Sequence, residues 1–125
     1  MWELFNPNPV GRMVGDCAVR AVAAALGISW EDAFSRLAVA AYNMGDMPSS
    51  NSVWGAVLRQ NGFYRAALPD TCPDCYTFGQ FAKDHPLGVF VLGTGTHTAA
   101  VVDGVLMDSW DSRDEIPQYY WFRKD

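Results

Sequence analysis

No stretch of this chain gathers lysine and arginine into a cluster. Nine basic residues stand against fourteen acidic ones, and the formal charge is −5. Nucleic acid and anionic membranes both require a basic surface, so neither is expected as a partner. Long apolar runs are missing too. None reaches the ~18–20 residues a membrane span needs. The opening "MWELFNPNPVGR" has neither the basic n-region nor the apolar h-region of a secretory signal. The expectation is a soluble, cytoplasmic protein. Cysteine is scarce: Cys17, Cys72 and Cys75. An odd count in such a chain argues against a disulfide framework. Cys72 and Cys75 form "CPDC", but apart from nearby His85 no second pair of ligands accompanies them, as a zinc site requires. No metal and no cofactor is expected. The pair reads as two loop cysteines without a special role, or as an adventitious disulfide.

What is present is an ordinary globular composition, half hydrophobic and 18% charged. A chain of 125 residues fits one domain, 1–125, with a real core. "NPNPVGRMVG" (6–15) reads as an extended arm. A helix starts near Asp16, a candidate N-cap, and runs to Leu26 with Gly27 as its stop. Only Arg20 interrupts its apolar residues, so the helix is expected to be buried on most sides. Ser29 and Asp32 resemble a capping box for a second helix. A third covers about 50–61, and a short fourth follows Thr77 and ends before Pro86. His85, at that end, reads as a partner of the helix dipole. "GFYRAAL" is a short strand or an extended link. Residues 88–93, 96–102, 105–110 and the closing "QYYWFRK" read as strands. Helices first and strands afterwards is the α+β pattern.

Asp103-Gly104 is a strong two-residue hairpin signal. Counting outward from it pairs Val102 with Val105, Val101 with Leu106 and His97 with Trp110. Paired side chains share a face and alternate along each strand. His97, Ala99, Val101, Leu106, Asp108 and Trp110 therefore lie on one face, with Asp108 diagonal to His97 and Asp111 on the other side. Such diagonals are ~7–8 Å apart at the backbone, within reach of polar side chains. A carboxylate beside an imidazole orients it and fixes its tautomer. Cys17, at a helix start, is either a buried structural thiol or the missing nucleophile. A helix N-terminus and a nearby imidazolium both favour its thiolate. Asp16 works the other way unless its carboxylate is turned off to cap the helix.

"GDCAVRA" on a central helix, followed late in the chain by "THTAAVVDGVLMDSWDS", resembles the papain-like cysteine peptidase superfamily. It looks most like the small bacterial and phage members, similar in outline to the bacteriocin-processing peptidases. The motifs fill about a quarter of the chain. The resemblance implies N-terminal helices, with a buried central helix packed on a C-terminal antiparallel sheet. It implies a catalytic triad of Cys17 as nucleophile, His97 as acid and base, and Asp108 as orienter, where papain relatives carry Asn-Ser-Trp and this chain has Asp108-Ser109-Trp110. The Cys17 N–H would donate to the oxyanion. The glutamine usually found six residues before the cysteine is replaced by Gly11. Asn6, Asn8 or Arg12 of the arm can substitute, and Asn8 is preferred. Trp110 and "YYWF" are core or cleft wall.

The implied function is cysteine-dependent hydrolysis of a peptide, amide or isopeptide bond in a peptide or protein substrate, with a bacterial or phage source. The alternatives are a catalytically inactive papain-like binding or assembly module, suggested by the missing glutamine, and an acyltransferase using the same triad.

Overall fold

The computed structural model describes residues 1–123. In chain order the elements are β1 (Trp2–Leu4), α1 (Cys17–Leu26), α2 (Trp30–Met44), α3 (Asn51–Gln60), β2 (Phe63–Ala67), α4 (Phe78–Asp84), β3 (Val89–Gly93), β4 (Thr98–Val102), β5 (Val105–Asp108) and β6 (Tyr119–Arg123). The class is α+β, with four helices and a six-stranded mixed sheet among the described residues. No described helix is long and apolar enough to cross a membrane.

The helices begin and end where local chemistry dictates. The Ser29 hydroxyl accepts the Asp32 N–H at 3.1 Å and opens α2, and Thr77 does the same for Gln80 at the start of α4. Gly27 and Gly45 close α1 and α2 in the left-handed conformation. His85 ends α4, with its Nδ1 2.8 Å from the Phe81 carbonyl. Asp16 departs from expectation. It precedes α1, but its carboxylate makes no cap bond, because stronger partners take it: the Arg20 guanidinium and the Trp30 indole N–H.

The hairpin turn has φ of 48° at Asp103 and 79° at Gly104, the two positive values a type I′ turn requires. It sets the expected register: Val102↔Val105, Val101↔Leu106 and Ala100↔Met107. The strands are shorter than expected at the far end, since β4 begins at Thr98 and β5 ends at Asp108.

The sheet runs β1-β5-β4-β3-β6-β2. Two features correct the expected C-terminal antiparallel sheet. "GFYRAAL" supplies a true strand, β2, antiparallel to β6 at one edge. At the other edge β1 pairs parallel with β5, Trp2↔Leu106 to Leu4↔Asp108. An uncovered β5 would present a row of unpaired peptide groups. The first residues satisfy them: Leu106 N–H donates to Met1 O at 2.8 Å and Phe5 N–H to Asp108 O at 2.7 Å. Cys72 and Cys75 are disulfide-bonded in the loop between β2 and α4.

Alternation along the strands builds two cores. Val91, Ala100 and Trp121 pack with Val22, Leu37, Trp54 and Leu58 of α1–α3. Leu92, Val101 and Leu106 point the other way, against Phe78 and Phe81 of α4. The apolar α1 is accordingly buried along most of its length. On the first face α3 approaches β6 closely at Gly55, where a Cβ would stand 2.8 Å from Trp121 Cζ2. Gly55→Ala is therefore expected to destabilise the fold. Overpacking costs about 1–3 kcal/mol, which outweighs the ~1 kcal/mol that alanine gains in helix propensity. A lower urea midpoint at unchanged m-value is the expected result; a raised midpoint contradicts this packing.

Candidate active site

Three elements end at one place. α1 starts, β5 ends, and the Thr94–His97 turn leads into β4. The turn is fixed by its own bonds: the Thr94 N–H donates to His97 O at 2.8 Å, and the His97 N–H to Thr94 Oγ1 at 2.9 Å. The His97 ring lies between Phe78, 6.3 Å away and nearly parallel, and Trp110 at 5.0 Å. Its Nε2 is 2.7 Å from Asp108 Oδ2. A carboxylate accepts, so Nε2 carries the proton, and Nδ1 is the nitrogen left for Cys17. Cys17 and His97 line one cleft, and the imidazole and the Thr98 backbone act on the ionisation of the thiol.

Asp108 is 1% exposed, and a buried carboxylate needs donors on both oxygens. Oδ1 accepts from Arg20 Nη2 at 3.1 Å and from the Ser109 N–H at 2.8 Å. Oδ2 accepts from Ser112 Oγ at 2.6 Å as well as from His97. Arg20, itself 5% exposed, joins this carboxylate to Asp16, and Asp16 accepts the Trp30 Nε1–H at 2.8 Å. A continuous polar chain thus runs from α2 through α1 to the imidazole.

The charges follow from these contacts. Burial pushes the Cys17 thiol up, but the His97 and Thr98 hydrogen bonds and the positive charges of His97 and Arg20 outweigh it, so its pKa falls below the ordinary value. Burial lowers His97, yet bonding to Asp108 and Cys17 and their negative charges push it up to about 9. Burial raises Asp108, but His97, Ser112 and the Ser109 N–H overcome this and hold it below the usual carboxylate range. The pair therefore favours thiolate and imidazolium.

A cleft of about 690 Å³ opens over the thiol, with Cys17, His97, Thr96, Ser49, Asn51 and Trp110 among its walls. Trp110 is 44% exposed, a cleft-wall tryptophan rather than a core one. The structure brings Cys17, His97 and Asp108 together. It does not bring Asn8 to them: Asn8 Oδ1 accepts the Val10 and Arg12 N–H groups at 3.0 and 3.2 Å inside the arm, and Asn8 is not in the cleft wall. Asp111 pairs with Arg113 instead. Arg20, Ser112 and Asn51 belong to the site without having been singled out for it. Arg20 had a signal, as the one charge in an apolar helix, since a buried charge demands partners. Ser112 and Asn51 had none. Among the described residues no group of three or more His, Cys, Asp or Glu could hold a metal ion.

Comparison with protein families, curated proteins and solved structures finds no match to this chain.

Two outcomes are expected from this geometry. His97, followed by NMR, titrates at about 9 and drops toward its unperturbed value near ~6.5 in Asp108→Asn. Because the folded pKa is the raised one, the stability His97 contributes is complete below ~6.5 and lost as pH rises through about 9. An unchanged titration in the variant contradicts the contact. Arg20→Met takes from buried Asp16 its cation and from buried Asp108 one of its four donors, and is expected to lose about 3–5 kcal/mol, read by chemical denaturation; a loss under about 1 kcal/mol, the range of an exposed pair, refutes the bridge.

Proposed function

We propose that the chain is a papain-like thiol hydrolase that cleaves a peptide, amide or isopeptide bond with Cys17, His97 and Asp108. One observation carries this reading: His97 shares the cleft wall with the Cys17 thiol while its Nε2 stands 2.7 Å from Asp108 Oδ2. The order of roles along the chain, nucleophile at a helix start, then imidazole, then carboxylate on the next strand, is that of the family the sequence resembles.

The chemistry needs no other reactant than water. The Cys17 thiolate attacks the carbonyl carbon, and the C=O electron pair moves to oxygen. That oxyanion is met by the Cys17 N–H at the uncapped start of α1. Collapse expels the amine, which takes the proton from the His97 imidazolium, and leaves a thioester on Cys17. Water then attacks the thioester while His97 accepts its proton. The thiolate departs, and the carboxylic acid is released. Asp108 keeps the ring oriented and its imidazolium stabilised throughout, without taking the proton. With Asn8 engaged in the arm, the Cys17 N–H is the oxyanion donor the geometry supports.

The test is the pH dependence of Cys17 alkylation with Cys72 and Cys75 changed to Ser, with and without His97→Ala. The expected thiol pKa lies well below the ~8.5 of free cysteine and moves back up without His97. In a peptide-library digest, Cys17→Ala is expected to lose about 10³-fold or more of the cleavage rate. A thiol with ordinary pKa that ignores His97 overturns the hydrolase and leaves the binding-module reading. An added amine that captures the acyl group in place of water marks the enzyme as an acyltransferase.

A further inference from the structure

A second pocket, of about 450 Å³, opens between α3 and the β2–β6 edge of the sheet. Two arginines from different elements converge on it: Arg59 in the last turn of α3 and Arg65 in β2. Arg65 pairs with Trp121 across β2–β6, so the two side chains share a face. Each guanidinium lies over an aromatic ring that lines the pocket, Arg59 Cζ 5.2 Å from the centre of Trp121 and Arg65 Cζ 4.2 Å from that of Tyr119. Both rings are buried and packed against Trp54. Stacking of this kind positions a guanidinium and leaves its in-plane N–H donors free.

Among the described residues those donors have no counter-charge: neither arginine forms an ion pair, and no carboxylate lines the pocket. Asp46, which Ser52 of the wall contacts, already accepts from Ser50, Ser52 and the Met47 N–H. In a chain of net charge −5, two exposed cations face one cavity whose described lining holds no carboxylate. Paired planar forks suit an oxyanion. The pocket also adjoins the cleft, since Asn51 lines both. His97 leads into β4, and β3 separates β4 from β6, with β2 beyond. At ~4.8 Å per strand β6 and β2 lie ~10–14 Å across the sheet from β4. An extended peptide advances ~3.3–3.6 Å per residue and covers that in three or four residues.

We propose that this pocket binds an oxyanion, the carboxylate of an acidic substrate that lies in the cleft, three or four residues from the bond held at Cys17. The assignment of that carboxylate to a substrate rests on the hydrolase reading; the binding site itself does not. The test uses the Cys17→Ala chain, which cannot turn over. Acetylated hexapeptide pools containing Glu, and matched pools with Gln in its place, are titrated while NMR follows the Nε–H signals of Arg59 and Arg65. The Glu pools are expected to shift both signals and to bind about tenfold tighter than the Gln pools. Arg59→Gln and Arg65→Gln each erase the preference while the weaker Gln-pool binding persists, which also shows that the variants are folded. Inorganic phosphate moves the same signals only at higher concentration. Equal binding of the two pools, or a preference that survives both substitutions, overturns the proposal. So does phosphate binding tighter than any Glu pool, which assigns the pocket to a free anion. A Cys17 thiol that proves unactivated while the Glu preference stands removes the hydrolase and keeps the site; an active Cys17 with no Glu preference does the reverse.

Discussion

The buried carboxylate of Asp108 is the constraint around which the rest of the molecule is arranged. Removing an anion from water is tolerable only where donors replace the lost hydration. Four groups do so here, and they come from separate parts of the chain: Arg20 of α1, His97 before β4, and the Ser109 N–H and Ser112 hydroxyl after β5. Satisfying one oxygen pair therefore fixes the angle of the central helix on the sheet. It also fixes the imidazole, and through the imidazole the ionisation of the thiol. The same bonds that make Asp108 affordable as a buried group are the ones that orient the His97 ring.

Electrostatics divides the surface into two regimes. Around the thiol, charges are paired and dry, and each carboxylate already has its cation or its hydroxyl. Around Arg59 and Arg65 the described residues supply no ion pair, and aromatic faces hold the guanidinium groups. The first arrangement sets proton positions; the second leaves donors free. α3 separates them, and its Gly55 lets the helix settle onto Trp121, whose ring forms part of the second pocket's lining.

Much of this was legible in the sequence because it depended on local signals. Two positive-φ residues at 103–104 set the hairpin register, and the register alone put His97 and Asp108 on one face. Gly27, Ser29 and Thr77 marked helix ends through backbone hydrogen bonding that any sequence window displays. What escaped was non-local. β1 is three residues long, too short for a period, and its partner β5 lies a hundred positions away. Asp16 looked like a cap because its position suited one; its carboxylate went to Arg20 and Trp30, which the fold brings near and the window does not. Asn8 had the right chemistry for an oxyanion donor, but its side chain closes a turn within its own arm.

The distribution of Cys17, His97 and Asp108 along the chain has a consequence for synthesis. Cys17 leaves the ribosome before Asp108, which follows 91 residues later. At ~5–20 residues per second the thiol waits several seconds before its imidazole and carboxylate exist. Until β4 and β5 have paired, the His97 and Thr98 contributions that lower the thiol are missing. The nascent polypeptide thus carries a thiol without its imidazole neighbour past other chains and chaperones, and the downward push on its ionisation arrives only once β4 and β5 have joined the sheet.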